Sequence, residues 1–244
     1  MHRFFIPPQA IDGDTVVLSG SQAHHLHTVL RIRAGQPVEL CDGTGAVYHT
    51  EIIKCTENSV QGRITGQVIE SAGTDFPLTL AQGILKGKKM DLVLQKATEL
   101  GVDTLMPVLT RYCQQHGNLD RRMQRWQRIV LEACKQCGRS APMQITPVID
   151  LQQLPIASYT YPLLCWEKEQ QAMVGPELFA APGKVLLLIG PEGGFNRQEV
   201  QFAADSGFRF VTLGPLVLRA ETAAIAAVGI IQYLTRLQAA RLQE

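Results

Sequence analysis

The rhythm of hydrophobic and polar positions changes once along this chain, close to residue 72. Before that point, short β-type runs at residues 15–18, 37–40, 46–53 and 59–64 alternate with turn signals such as Asp12-Gly13-Asp14 and Asp42-Gly43-Thr44-Gly45. One helix is predicted among them over residues 21–31, capped by Ser21, with Ala23, Leu26, Val29 and Leu30 as its apolar stripe. Many short strands joined by glycine-bearing turns indicate a small β-barrel. Residues 71–77 read as a linker.

From residue 78 the period lengthens. A strand at 78–85 leads to a helix over 88–100 with Leu92, Ala97 and Leu100 among its apolar positions, stopped by Gly101. A strand at 102–109 precedes a long basic helix over 120–136, capped by Asp120 and ended by Gly138. A strand near 162–166, a short helix near 176–181 and a continuous apolar strand at 185–190 follow. Asn196 and Glu199 form a capping box that opens a helix over 196–206. A strand at 210–213 and a last helix over 221–242 complete the pattern, the helix carrying a stripe of Ile225, Val228, Ile231, Leu234 and Leu237. Strands alternating with helices build a mostly parallel sheet with helices on both faces. The expected organisation is a β-barrel over residues 1–72 and an α/β domain over residues 73–244.

Composition adds bounds. Hydrophobic residues at 45% and charged residues at 18% are those of a globular chain. Apolar runs such as 185–189 fall far short of a span of about 20 residues, and the start does not read as a signal peptide. A cytoplasmic protein without a membrane partner is the expectation. Six irregularly spaced cysteines do not make a disulfide scaffold. The net charge of +1 hides a segregated basic stretch: Lys86, Lys88, Lys89, Lys96, Arg111, Arg121, Arg122, Arg125, Arg128, Lys135 and Arg139. Only Asp91, Glu99, Asp103, Asp120 and Glu132 oppose them there. Such segregation suits a phosphate-binding surface, and equally a set of solvated helix faces.

Two loops carry the chemistry. The apolar strand at 185–190 runs into Gly190-Pro191-Glu192-Gly193-Gly194, where glycines let backbone approach a ligand at the carboxyl edge of a parallel sheet. The loop is neither G-x-G-x-x-G nor a phosphate loop, which disfavours a nicotinamide oxidoreductase or a nucleoside triphosphatase. A second strand ends in Leu213-Gly214-Pro215-Leu216-Val217-Leu218 and delivers Arg219, Glu221 and Thr222 to the start of the last helix. Glu221 and Thr222 could serve there simply as helix-terminal groups. Cys134 and Cys137 form a C-x-x-C pair, but at a helix carboxyl end, where the dipole does not activate a thiol. His24, His25 and His27 lack an evident third ligand, so no metal is expected.

Together, these two loops resemble the cofactor loops of the SPOUT methyltransferases, and more narrowly those of the ribosomal RNA small subunit methyltransferase E family. Other blocks agree in the same order: His24-His25-Leu26-His27-Thr28-Val29-Leu30-Arg31, Cys41-Asp42-Gly43-Thr44-Gly45, Gln95-Lys96-Ala97-Thr98-Glu99-Leu100-Gly101-Val102 and Glu132-Ala133-Cys134-Lys135-Gln136-Cys137-Gly138-Arg139. The resemblance implies a PUA-like RNA-binding barrel followed by a trefoil-knotted α/β domain that works as a homodimer. It implies that S-adenosylmethionine lies along Leu188, Ile189, Gly190, Glu192, Gly193 and Gly194, with Leu213, Gly214, Leu216, Leu218, Arg219 and Thr222 opposite. The implied reaction is methylation of N3 of a uridine in 16S ribosomal RNA of the small subunit. One departure stands out: relatives usually show a Glu-Arg pair where this chain has Thr110-Arg111-Tyr112-Cys113.

For that reaction Arg219 is the candidate electrostatic stabiliser, with Glu221 orienting it or accepting the N3 proton. His25, Arg31, Lys88, Lys89, Arg111, Arg121, Arg122, Arg125, Arg128 and Arg139 are the candidate RNA contacts. Two other readings stay open at this level: a non-catalytic RNA-binding or ribosome-assembly protein, and a SPOUT enzyme with another RNA target.

Overall fold

The computed structural model describes residues 3–70, 73–113 and 118–242. The chain divides into two compact units, Met1–Ala72 with Cys134–Pro142, and Gly73–Ala133 with Met143–Glu244. Ser71 and Ala72, at the start of the expected linker and at the expected boundary, lie outside the described residues, as does the side chain of Ser21.

The first unit contains β1 (Arg3–Phe5), β2 (Ile11–Asp12), β3 (Thr15–Ser19), α1 (Gly20–His24), β4 (Pro37–Cys41), β5 (Ala46–Cys55) and β6 (Ser59–Ile69). Its sheet runs β1-β4-β5-β6-β3-β2, antiparallel except where β1 lies parallel to β4. The sheet curls into a half-barrel instead of closing. Alternation along β3 and β4 turns Val16, Leu18, Val38 and Leu40 inward, where they pack with Ala23 and Leu26 of the helical segment. That segment is shorter than its apolar stripe predicts. After α1 it widens into a π-turn over His25–Val29, and Arg31 then takes a left-handed φ of 52°.

Arg3 explains why Cys134–Pro142 belongs to this unit. Its guanidinium pairs with Glu39 at 2.9 Å and Glu70 at 3.0 Å, and also donates to the carbonyl of Gly138. A planar guanidinium with several donors can bind all three at once. No hydrophobic pattern announces such a long-range polar contact.

The second unit contains β7 (Leu78–Gly83), α2 (Lys88–Glu99), β8 (Thr104–Leu109), most of α3 (Leu119–Cys137), β9 (Gln144–Ile145), β10 (Ile149–Asp150), β11 (Tyr161–Cys165), β12 (Val185–Ile189), α4 (Arg197–Asp205), β13 (Arg209–Val211) and α5 (Ala220–Leu242). The strands form one parallel sheet in the order β10-β8-β7-β12-β11-β13, with β9 also on β8. Every side chain of β12 is buried, as a central strand covered on both faces requires. The short helix expected near 176–181 is a single 3-10 turn, Pro176–Leu178.

One helix start differs from expectation. Asn118, not Asp120, caps α3: its Oδ1 accepts the backbone N–H of Arg121 at 3.1 Å. The helix therefore begins two positions earlier than a cap at Asp120 would set it. By length and composition, α5 is apolar enough to cross a membrane. It instead packs Ala224, Ala227, Val228 and Ile231 inside the unit, touching α2, β7 and β12. Ile225 and Leu234 of its expected stripe are only half-buried, while Ile230, Tyr233 and Leu237 are exposed.

Candidate active site

The carboxyl ends of β11, β12 and β13 open on a common cavity of about 360 Å³. Parallel sheets bind ligands at this edge, and the volume falls within the range of small-molecule pockets. One wall is the loop from Ile189 to Phe195, and the facing wall is Val211 to Gly214 with Leu216 to Ala220 and Ala223. Cys165, Trp166 and Glu167 from the end of β11 close a third side, and Lys89 reaches in from α2.

Glycine is needed in the first wall for close packing. A Cβ on Gly83, at the end of β7, would lie 2.6 Å from the Pro191 ring, and one on Gly190 would lie 3.0 Å from Phe195. Gly194 adopts φ of 65° and Gly214 of 127°, conformations that side chains disfavour. Buried Gln82 reinforces the arrangement by donating from Nε2 to the carbonyl of Gly190 at 3.2 Å. The turn is thus fastened from below by β7.

It is fastened from the side by Glu192. Oε1 of that residue accepts the backbone N–H of Lys86 at 3.2 Å and the Lys89 ammonium at 3.1 Å. Burial acts to raise the Glu192 pKa, but backbone N–H groups of Glu192 and Lys86 and the Lys89 side chain outweigh it, holding the carboxyl below its usual range. At the end of β11, burial pushes the Cys165 thiol up to about 12. A thiol so disfavoured as thiolate is no nucleophile at neutral pH.

Of the residues proposed for the cofactor, Ile189, Gly190, Glu192, Gly193, Gly194, Leu213, Gly214, Leu216, Leu218 and Arg219 line this cavity together. Leu188 lies instead in the core with Ala203 and Phe208, because the pleat turns its side chain to the sheet face that α4 covers. Thr222 is exposed on α5 and does not line the cavity. Glu221 is buried beside it, and its Oε2 has no hydrogen-bond partner among the described residues. Trp166, Glu167, Gln82 and Gly83 were not identifiable from loop motifs. Their signal was positional, since each sits at the carboxyl end of a strand adjoining β12.

The candidate RNA contacts divide by their surroundings. In the first unit His25 and Arg31 are exposed, with His25 edge-on to Phe4 at 6.3 Å, and Arg139 donates to the carbonyl of Ala141 at 3.1 Å. In the second unit Lys88, Arg111, Arg121 and Arg128 are exposed. Arg122 lies over the Trp126 ring at 4.9 Å, Arg125 pairs with Asp91, and Lys89 pairs with Glu192. Within α3, Arg122 is thus engaged by Trp126 of the same helix and Arg125 by Asp91 of α2, while Arg121 and Arg128 face solvent. Cys134 is buried and Cys137 exposed, neither of them in a disulfide. Among the described residues no three His, Cys, Asp or Glu side chains converge as metal ligands.

Comparison with known proteins places this geometry. Residues 73–232 match an RNA methyltransferase domain, and residues 18–65 match an RNA methyltransferase PUA domain. The ribosomal RNA small subunit methyltransferase E of Buchnera aphidicola subsp. Schizaphis graminum is 31% identical over 227 residues, covering 89% of either chain. The corresponding enzyme from Neisseria gonorrhoeae, solved bound to S-adenosyl methionine, aligns with a TM-score of 0.86 at 32% identity, over 96% of this chain and 98% of that one. A methyltransferase from Legionella pneumophila, in complex with the same cofactor, aligns with a TM-score of 0.85 at 30% identity, over 95% and 96% of the two chains. The PUA-like and SPOUT parts expected from the sequence are both present. With its two loops, its parallel sheet and these end-to-end likenesses in agreement, the chain belongs to the ribosomal RNA small subunit methyltransferase E family.

Proposed function

We propose that this chain methylates N3 of a uridine in the 16S ribosomal RNA of the small ribosomal subunit, using S-adenosylmethionine. The observation that carries the reading is the convergence of both Gly-Pro loops and Arg219 on one cavity, in a fold shared with structures that hold this cofactor. The cavity suits such a group: Ile189, Leu216 and Leu218 offer apolar surface, and the glycine turns leave backbone accessible. Glu167 adds a carboxylate to the lining, and negative charge attracts a cationic ligand. When bound, the cofactor supplies an electrophilic methyl group.

This chain's own part is to bring the base to that group and to manage charge. As N3 loses its proton, negative charge spreads onto the uracil carbonyl oxygens. Arg219, exposed at the cavity wall, stabilises it there. Glu221, buried next along α5 with its Oε2 unpartnered among the described residues, is the group that orients Arg219 or accepts the N3 proton. Exposed Arg121 and Arg128 hold backbone phosphates, which gives affinity and no sequence choice. Residues 1–72 act as an RNA-binding domain, and the catalytic domain occupies residues 73–244. Exposed Tyr233 and Leu237 on α5 give the homodimer a self-complementary apolar face. The enzyme works in the cytoplasm, where ribosomal subunits are.

At saturating cofactor, Arg219→Ala should cut methyl transfer by roughly a hundredfold or more while thermal unfolding changes little. Wild-type turnover in that variant would remove Arg219 from the mechanism.

A further inference from the structure

The turn after β8 holds an aromatic side chain at the rim of the cavity and leaves half of it in water. Tyr112 is 49% exposed. Its root lies against the glycine turn: a Cβ on Gly193 would come within 2.8 Å of the Tyr112 Cβ and 3.1 Å of its Cγ. Gly193 lines the cavity, so the ring springs from the cavity's edge.

The backbone at its root is anchored. Cys113 donates its backbone N–H to the carbonyl of Thr110 at 3.1 Å, closing a β-turn around Arg111 and Tyr112. Buried Glu199 accepts the backbone N–H of Arg111 at 2.6 Å. The Thr110 hydroxyl and the Cys113 thiol meet at 3.3 Å. Three local bonds thus fix the backbone that carries Tyr112, beside a position where only glycine leaves room for its root.

Core packing does not account for a rigidly mounted aromatic with half its surface solvated. Recognition of an unstacked base does. A base taken from its stack to be modified loses its neighbours and is commonly received by an aromatic face. Exposed Arg111, next in the chain, adds a cation on the same turn for an adjacent phosphate.

From this geometry we infer that Tyr112 is a positioning residue, stacking on the target nucleobase as it enters the cavity past Gly193. The inference rests on the RNA methylation reading above and names the group that receives the substrate.

The test compares Tyr112→Ala, Tyr112→Leu and Tyr112→Phe with the wild type. Methyl transfer to small ribosomal subunits is followed at saturating subunit and cofactor, with cofactor Kd measured by calorimetry. Loss of one stacking partner predicts a fall in kcat of about tenfold to a hundredfold for the Ala and Leu variants. The Phe variant should stay within about threefold of wild type, and cofactor Kd within about twofold throughout, because the stacking face is kept or the cofactor is untouched. Undiminished kcat in Tyr112→Ala would overturn the inference, as would recovery in Tyr112→Leu. A rise in cofactor Kd matching the fall in kcat would also overturn it, assigning Tyr112 to holding the Gly193 turn. A wild-type protein that methylates no RNA would overturn the underlying reading and this inference with it, a result distinct from an active wild type with an equally active Ala variant.

Discussion

Oε1 of Glu199 accepts the backbone N–H of Arg111 at 2.6 Å, joining the start of α4 to the turn after β8. The other oxygen accepts the N–H of Asn196 at 2.8 Å, while Asn196 Oδ1 accepts the Glu199 N–H at 2.9 Å. One carboxylate therefore completes a capping box and fixes a distant loop. Both groups it serves border the glycine turn of the cavity.

Replacing Glu199 by Gln tests this double use. An amide offers one acceptor oxygen where the carboxylate offers two, so one partly buried N–H loses its partner. The variant should lose about 1–3 kcal/mol of stability, read as a lower urea midpoint at unchanged slope. A midpoint equal to wild type would show that neither bond matters.

Half of this arrangement was readable beforehand. Asn196 and Glu199 stand at capping-box spacing in the sequence, and the box is formed. The bond to Arg111 was not readable, because it joins residues 88 positions apart and depends on where β8 lies in the sheet. The same contrast runs through the fold. The apolar run of β12 and the glycine ending α2 carry local signals, and both elements appear within a residue or two of expectation. The cavity wall at Trp166, and the support that Gln82 and Gly83 give the glycine turn, follow from strand order, which no local pattern encodes. Arg3 reaching Glu70 and Gly138 is invisible for the same reason.

The Glu192 clasp should respond to acid in a defined direction. Its carboxyl titrates below the usual range, since hydrogen bonds and the Lys89 ammonium outweigh its burial. A depressed carboxylate contributes stability above its unfolded-state pKa of about 4.3, and loses it as pH falls through the lower folded value. Comparing wild type with Glu192→Gln from neutral pH downward should show a steady gap that closes only in acid. The gap should stay under about 1 kcal/mol, because the pair is partly exposed and screened. A gap that widens in acid would contradict the account.

Two arginines of α3 should behave differently. Arg128 is exposed, so Arg128→Ala should weaken RNA binding and lower the salt slope by about one, with stability unchanged within about 0.5 kcal/mol. Arg122 sits over Trp126 at 4.9 Å. Its replacement by Ala should cost about 1 kcal/mol of stability in urea unfolding. Reversal of the two effects would mean that burial does not separate packing from RNA contact on this helix.

The most direct test supplies purified protein with tritiated S-adenosylmethionine and small ribosomal subunits from cells lacking the enzyme, then identifies the labelled nucleoside by chromatography. The account predicts label in N3-methyluridine. Label in any other nucleoside, or none in RNA, would contradict it.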